Sequence, residues 1–123
     1  MDITNKTRGT TPDIPFEKLK DTVLGAHYDL SLALVTPRQS REVTIRAKHK
    51  DKVSDVLSFP LSDASGEIII CPSVARTRAK IFHYTHEQCV ARLFIHGLLH
   101  LKGYRHSDTM DDEEDKIAKK FGF

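Results

Sequence analysis

The stretch "HGLLHLKGYRH", residues 96–106, holds three of the seven histidines of the chain. As ligands of one ion they require a helix that stops and turns, and as ordinary histidines they require nothing of the backbone. Thr85, with Gln88 three positions on, forms a capping-box pattern that opens a long helix. On that helix His96 and His100 lie about 40° apart around the axis and roughly 6 Å apart along it, so both imidazoles share one face and can meet at one ion. On a continued helix His106 would point roughly 120° away and sit about 9 Å further along. Gly103 removes the obstacle, because glycine takes the left-handed conformation that ends a helix and turns the chain back. The spacing then yields three nitrogen ligands and a fourth position for water or substrate, the arrangement of a catalytic zinc site and not of a closed structural one.

A chance cluster on a half-buried helix accounts for single histidines, but not for convergence and a chain break together. Three histidines also suit nickel, copper or iron. Cys89 lies on nearly the same face as His96 but about 10 Å away, and His86 is roughly 15 Å away, so neither shares the ion. His83 and His86 are expected as a solvent-exposed pair where the helix begins, and His27 and His49 as ordinary surface histidines. The spacing equals that of the zinc protease pattern H-E-x-x-H-x-x-G-x-x-H, except that Gly97 stands where that pattern has its general-base glutamate. Without that carboxylate, peptide hydrolysis lacks its proton acceptor. A glycine there lets the helix pack closely or lets a bulky substrate approach the metal.

With 123 residues, 39% hydrophobic and 29% charged, the chain is expected to form one domain over residues 1–123 around a single core, which excludes disorder throughout. The opening "MDITNKTRGT" has no basic segment followed by an apolar one, and "FIHGLLHL" is too short to span a bilayer, so a soluble, cytoplasmic protein with no membrane partner is expected. Cys71 and Cys89 show neither C-x-x-C spacing nor the density of a disulfide scaffold, and are expected as free thiols packed like small hydrophobes. The net charge of +2 conceals an uneven distribution. Residues 38–52 carry six bases (Arg38, Arg41, Arg46, Lys48, Lys50, Lys52) against Glu42 and Asp51, a local charge of +4. Arg76, Arg78 and Lys80 form a second basic cluster, and residues 108–115 hold six acids and no base. Taken singly, such runs are solvated faces, and the acidic one is read as capping the last helix at its positive end.

Elsewhere the chain alternates short elements. Asp13, Pro15 and then Phe16, Leu19 and Val23 predict a helix capped by Asp13 and ending near Gly25. The runs "LSLALV" (30–35), "DVLSFPL" (55–61) and "EIIIC" (67–71) predict strands, the last two separated by the turn-rich "SDASG". "REVTIRAK" (41–48) alternates as a strand would, yet its Arg and Glu content suits a helix, and periodicity leaves it open. Ser73 is expected to cap a short helix running through Phe82.

Together "SDVLSFP" (54–60), "GEIIICPSVA" (66–75) and "HGLLHLKGYRH" resemble the YbeY family of bacterial rRNA maturation factors, zinc-dependent single-strand endoribonucleases. The match covers most of residues 41–106, and the flanks are similar only loosely. The resemblance implies an α+β fold, a single domain with a mixed β-sheet packed with helices in a zincin-like arrangement around the metal helix. It implies that His96, His100 and His106 hold one Zn2+, and that "REVTIRAK" is helical. It further implies a role in maturing ribosomal RNA, notably the 3′ end of the small-subunit RNA, and in ribosome quality control. Its partners are then single-stranded rRNA and a ribosomal subunit or ribosomal proteins, and the alternative to the cap reading of the acidic run is a docking surface for a basic ribosomal partner.

The family places an arginine, thought to be catalytic, seven residues before the Asp of its "TDVLSFP" motif. Counting back from Asp55 reaches Lys48, and one small gap brings Arg46 into register, so the catalytic cation is Lys48 or Arg46. Lysine keeps the charge that stabilises a phosphoryl oxygen but lacks the planar fork of arginine. Arg105 stands where the family has the Asp of "GYDH", a carboxylate able to orient a ligand histidine, so another acceptor must serve. Glu67 for the usual Asp is a mild change. Three neutral imidazoles leave zinc enough charge to bring the pKa of bound water to about 7 and to polarise a phosphoryl oxygen. Arg41, Lys50, Lys52, Arg76 and Arg78 are the candidate contacts to the RNA backbone. Phe59 and Tyr104 can stack on bases, although core packing is the commoner role. The nucleophile is water or the RNA 2′-hydroxyl, and the oligomeric state is left open. Two rival readings remain: a metal-dependent hydrolase of another substrate class, peptidases included, and a non-catalytic ribosome-associated module in which zinc fixes the fold.

Overall fold

Leu30, Leu32 and Leu34 alternate with Ser31 and Ala33, and this period of two builds the central strand β2 (Asp29–Leu34), with all three leucines buried on one face. A computed structural model, which describes residues 1–123, sets β2 between β1 (Asp2–Asn5) and β4 (Ser65–Ile70), both parallel to it. Strand β3 (Val56–Ser62) pairs antiparallel with β4 at the sheet edge, where Pro60 is tolerated because a missing N–H breaks no second ladder. Register places Leu32 opposite Ile68 and Leu34 opposite Ile70, so these four make one apolar face.

Helices α1 (Phe16–Leu24), α4 (His86–Lys102) and α5 (Asp108–Lys120) contribute to the main core with that face, and Phe94 of α4 meets Phe16 of α1 edge-on at 5.0 Å. Each fully buried Leu or Phe in this core contributes about 1.5–3 kcal/mol of transfer free energy. Ala75 and Ala79 of α3 (Pro72–Phe82) join the same core. Val35, Leu57, Ile69 and Cys71 form a smaller second core, on which Val43 of α2 (Pro37–Lys48) packs. The architecture is α+β with a mixed four-stranded sheet, as the resemblance implies, and no helix is long and apolar enough to cross a membrane.

"REVTIRAK" lies inside α2, which begins with a reciprocal capping box between Thr36 and Gln39 and Pro37 in its first turn. Its helical stripe is hidden from a count of apolar residues because the buried positions are hydroxylic. Ser40 and Thr44 are buried, Thr44 Oγ1 lies 2.8 Å from Ser54 Oγ, and Ser40 Oγ donates to the Ser54 carbonyl at 2.7 Å. Ile45, the residue whose alternation imitates a strand, is 41% exposed.

Four local expectations are corrected. Asp13 does not cap α1: the capping position is Pro15, and no side chain caps the helix. Ser73 does not cap α3 either, because Pro72 begins the helix with its φ already helical and moves the cap back to Cys71. His83 ends α3 in the left-handed conformation (φ 58°) instead of opening α4, and His86 is half-buried, with its Nδ1 buried and unpartnered, not solvent-exposed. β1 lies in a polar stretch, "DITN", whose sequence announces no strand.

Candidate metal centre

The capping box expected at Thr85 is present in both directions: Thr85 Oγ1 accepts from the Gln88 amide, and Gln88 Oε1 accepts from the Thr85 amide. Helix α4 carries His96 and His100 on one face and ends at Gly103, whose φ of 111° no L side chain adopts readily. The Gly103 amide donates to the carbonyls of Leu99 and His100, and the chain turns back. His106 thereby returns to the pair, its ring centroid 4.9 Å from that of His96 and 4.6 Å from that of His100. One nitrogen from each ring lies within 4.8 Å of the others.

The hydrogen bonds behind the rings decide which nitrogens face inward. His96 Nδ1 lies 2.8 Å from Glu114 Oε1, and His100 Nδ1 lies 3.1 Å from the Tyr104 carbonyl oxygen. Both partners are acceptors, so Nδ1 carries the proton in each neutral ring and each Nε2 presents a lone pair. Those two Nε2 atoms are 3.1 Å apart. Two lone pairs at that distance repel unless a cation lies between them. Tetrahedral coordination at about 2.1 Å places ligand nitrogens roughly 3.4 Å apart, so the donor set fits a small divalent ion. The pKa of His100 is depressed by burial first and then by the His96 ring, against the opposing hydrogen bond to the Tyr104 carbonyl and with further lowering by His106 and Lys48, which favours the neutral, ligating form.

The triad opens on a cleft of about 620 Å³, with Lys48 and Lys52 on its rim and Arg78 lining it from α3. Gly97 lines it too, and a Cβ on that residue would lie 3.1 Å from Ile68 Cδ1. Its place in the pattern is therefore explained by close approach of α4 to β4. Two carboxylates line the cleft, and both are engaged: Asp55 by Arg78, at 2.5 Å, and Glu114 by His96.

A model of the family described as endoribonuclease YbeY matches residues 4–122. The chain belongs to the YbeY family. Among relatives, an endoribonuclease YbeY of Sulfurimonas denitrificans is 38% identical over 100 residues, covering 76% of this chain and 72% of the relative. That of Thermotoga maritima is 35% identical over 108 residues, covering 85% of this chain and 69% of the relative. The solution structure of TM1509 from Thermotoga maritima superposes with a TM-score of 0.70 at 27% identity, covering 98% of this chain and 89% of that one.

Of the candidate cations, Lys48, Lys52 and Arg78 line the cleft, whereas Arg41, Arg46, Lys50 and Arg76 are exposed outside its lining. Lys48 is close enough to act on the His100 titration. Arg41 forms a two-pronged ion pair with Asp51, at 2.5 and 2.9 Å, which raises its own pKa and lowers that of Asp51. Phe59 packs on the second core and Tyr104 on the first. Arg105 is exposed, and the acceptors behind the two rings are Glu114 for His96 and the Tyr104 main chain for His100.

Glu114 is the residue that sequence reasoning missed. It stands within the acidic run read as a solvated cap, a reading that holds for Asp108 and Asp111 in the first turn of α5. Its signal was positional. Met110, Ile117 and Ala118 are the buried residues of α5, and helical spacing from them narrows the six acids of the run to Glu113 and Glu114, of which the tertiary contact with His96 picks Glu114.

Proposed function

We propose that this chain is a zinc-dependent, single-strand-specific endoribonuclease that matures ribosomal RNA, at the 3′ end of the small-subunit RNA, and serves ribosome quality control. Residues 1–123 act as one catalytic unit, in the cytoplasm, in contact with a ribosomal subunit or its proteins. The observation that carries the reading is the pair of inward-facing Nε2 lone pairs, 3.1 Å apart, beneath a cleft edged by Lys48 and Lys52. His96, His100 and His106 hold one Zn2+. When bound, zinc supplies a Lewis-acidic centre that polarises a phosphoryl oxygen and acidifies water.

The chain's own groups do the rest. Glu114 holds the Nδ1 proton of His96 and the Tyr104 carbonyl that of His100, which fixes tautomer and ring orientation. Lys48 neutralises charge at the scissile phosphate, the part played in the family by arginine, with Arg46 as its alternate, and Lys52 and Arg78 contact neighbouring phosphates. Arg41, Lys50 and Arg76 extend the basic path outside the cleft. Against peptide hydrolysis stands the engagement of both cleft carboxylates, which leaves no free acid in the position of a protease's general base. Against a purely structural zinc stands the open cleft above a three-histidine set.

The test is elemental analysis of the purified protein and of His96→Ala/His100→Ala, each then incubated with single-stranded RNA. One equivalent of zinc and cleavage in the wild type, both absent from a folded variant, is the expected result. Zinc without cleavage favours the structural module, and a protein that takes up no metal ends the reading.

A further inference from the structure

Six phenylalanines and three tyrosines make up the aromatic complement of the chain, and only Phe82 (54%) and Tyr84 (37%) are exposed. Both line the cleft that holds the histidine triad. Their ring centroids are 6.4 Å apart with planes tilted by 30°. Each ring is backed by a guanidinium: Arg78 Cζ lies 5.6 Å from the Phe82 centroid and Arg92 Cζ 4.9 Å from that of Tyr84. The guanidinium groups are themselves anchored. Arg78 pairs with Asp55, and Arg92 donates to Asp115 at 3.0 Å and to the main-chain oxygen of Phe123. Two aromatic rings are thus each held by an anchored cation and remain exposed where they line the cleft. Burial in the core does not explain them.

We propose that Phe82 and Tyr84 form a nucleobase-stacking platform that grips one base of the single strand whose phosphate lies at the triad. The inference rests on the endoribonuclease reading and adds to it a binding site and a selectivity. Tyr84 lies just before α4 and His96 ten residues into that helix, a separation of about 15 Å along the axis. About four stacked nucleotides span that distance at 3.4 Å each, and fewer if the strand is extended. Stacking is indifferent to base identity but requires a base that is out of a duplex, so the platform selects single strands and fixes the cut at a set distance from an unpaired base. Lys48 and Lys52, unlike the ion-paired arginines behind the rings, bring net positive charge for a polyanion to the same cleft.

The experiment measures kcat and KM of the zinc-loaded protein and of Phe82→Ala/Tyr84→Ala on a short single-stranded RNA, with one abasic nucleotide walked along the substrate. Expected are a KM raised about tenfold in the variant, a kcat little changed, and in the wild type a similar loss when one particular nucleotide lacks its base. In the variant that abasic site has no further effect. An unchanged KM overturns the platform, as does an equal loss at every abasic position. Unchanged action on naked RNA with lost binding to small ribosomal subunits overturns it in favour of a protein-docking surface. All three leave the endoribonuclease reading standing, whereas a zinc-loaded wild type that cleaves no RNA removes that reading and the platform with it. Circular dichroism and zinc content check the fold, and should the double variant not fold, Phe82→Ala alone, at the more exposed ring, is read by the same criteria.

Discussion

Glu114→Ala removes the acceptor of the His96 Nδ1 proton, a contact of 2.8 Å between two half-buried groups, and the consequence can be worked from the geometry. The imidazole keeps its place on α4 but loses the bond that fixes its rotation and tautomer and the negative charge that makes its Nε2 a better donor. Loss of such an outer partner costs about 10–100-fold in metal affinity, or about 1.4–2.8 kcal/mol. Glu114→Gln keeps an amide oxygen in reach of Nδ1 and loses only the charge. A charge-assisted bond is about twice as strong as a neutral one, so Gln should forfeit about half that free energy, roughly a three- to tenfold loss. The assay is zinc competition against a chromophoric chelator at fixed pH, with unfolding of the zinc-loaded variants followed in parallel. The order wild type, Gln, Ala in zinc affinity is the expected result. Affinities for both variants within twofold of wild type would show that Glu114 does not support the ligand and that the tautomer argument at His96 is wrong.

Three further predictions follow from the same contacts. Lys48→Met should lower kcat/KM on RNA about 100-fold and flatten its salt dependence by about one phosphate contact, while Arg46→Met stays near wild type; the reverse order would transfer the catalytic role to Arg46. Gly97→Ala should destabilise the protein by about 1 kcal/mol in urea titration, because overpacking against buried Ile68 costs about 1–3 kcal/mol and outweighs the roughly 1 kcal/mol gained in helix propensity; a variant more stable than wild type refutes the close-packing account. Burial, then Arg76, pulls the His86 pKa below its ordinary 6.5 against the opposing Glu87, so the fold holds this ring neutral. Stability from it is complete above pH 6.5 and declines as pH falls from 6.5 toward the lower folded value. The decline between pH 7 and pH 5.5, measured by denaturant titration, should be smaller in His86→Phe, and an identical decline excludes His86 as its source.

Elements were legible in the sequence where apolar spacing or a reciprocal cap specified them. β2 was visible through its alternating leucines and α4 through Thr85 and Gln88, because each signal is made and read within a few residues. α2 was illegible to periodicity because its buried stripe is Ser40 and Thr44, whose hydroxyls are satisfied by the Ser40 carbonyl one turn back and by Ser54, a partner that local pattern cannot supply. The helix starts assigned to Asp13 and Ser73 failed where proline shifted or replaced the cap. β1 carries no signal of its own, since a short polar strand is defined by the neighbour it pairs with.

The sequence by itself determined the triad. His96, His100, Gly103 and His106 lie within eleven consecutive residues, and helix period together with one left-handed glycine nearly sets their convergence. Tertiary structure alone decided what surrounds it. Glu114 reaches His96 across 18 residues, Arg78 reaches Asp55 across 23, and Lys48 meets the cleft from a different helix. Those contacts exist because α5 and α3 pack beside α4 and the Ser40–Ser54 bond ties α2 to the segment leading into β3, so their geometry depends on how separate faces bury one another and not on any local period.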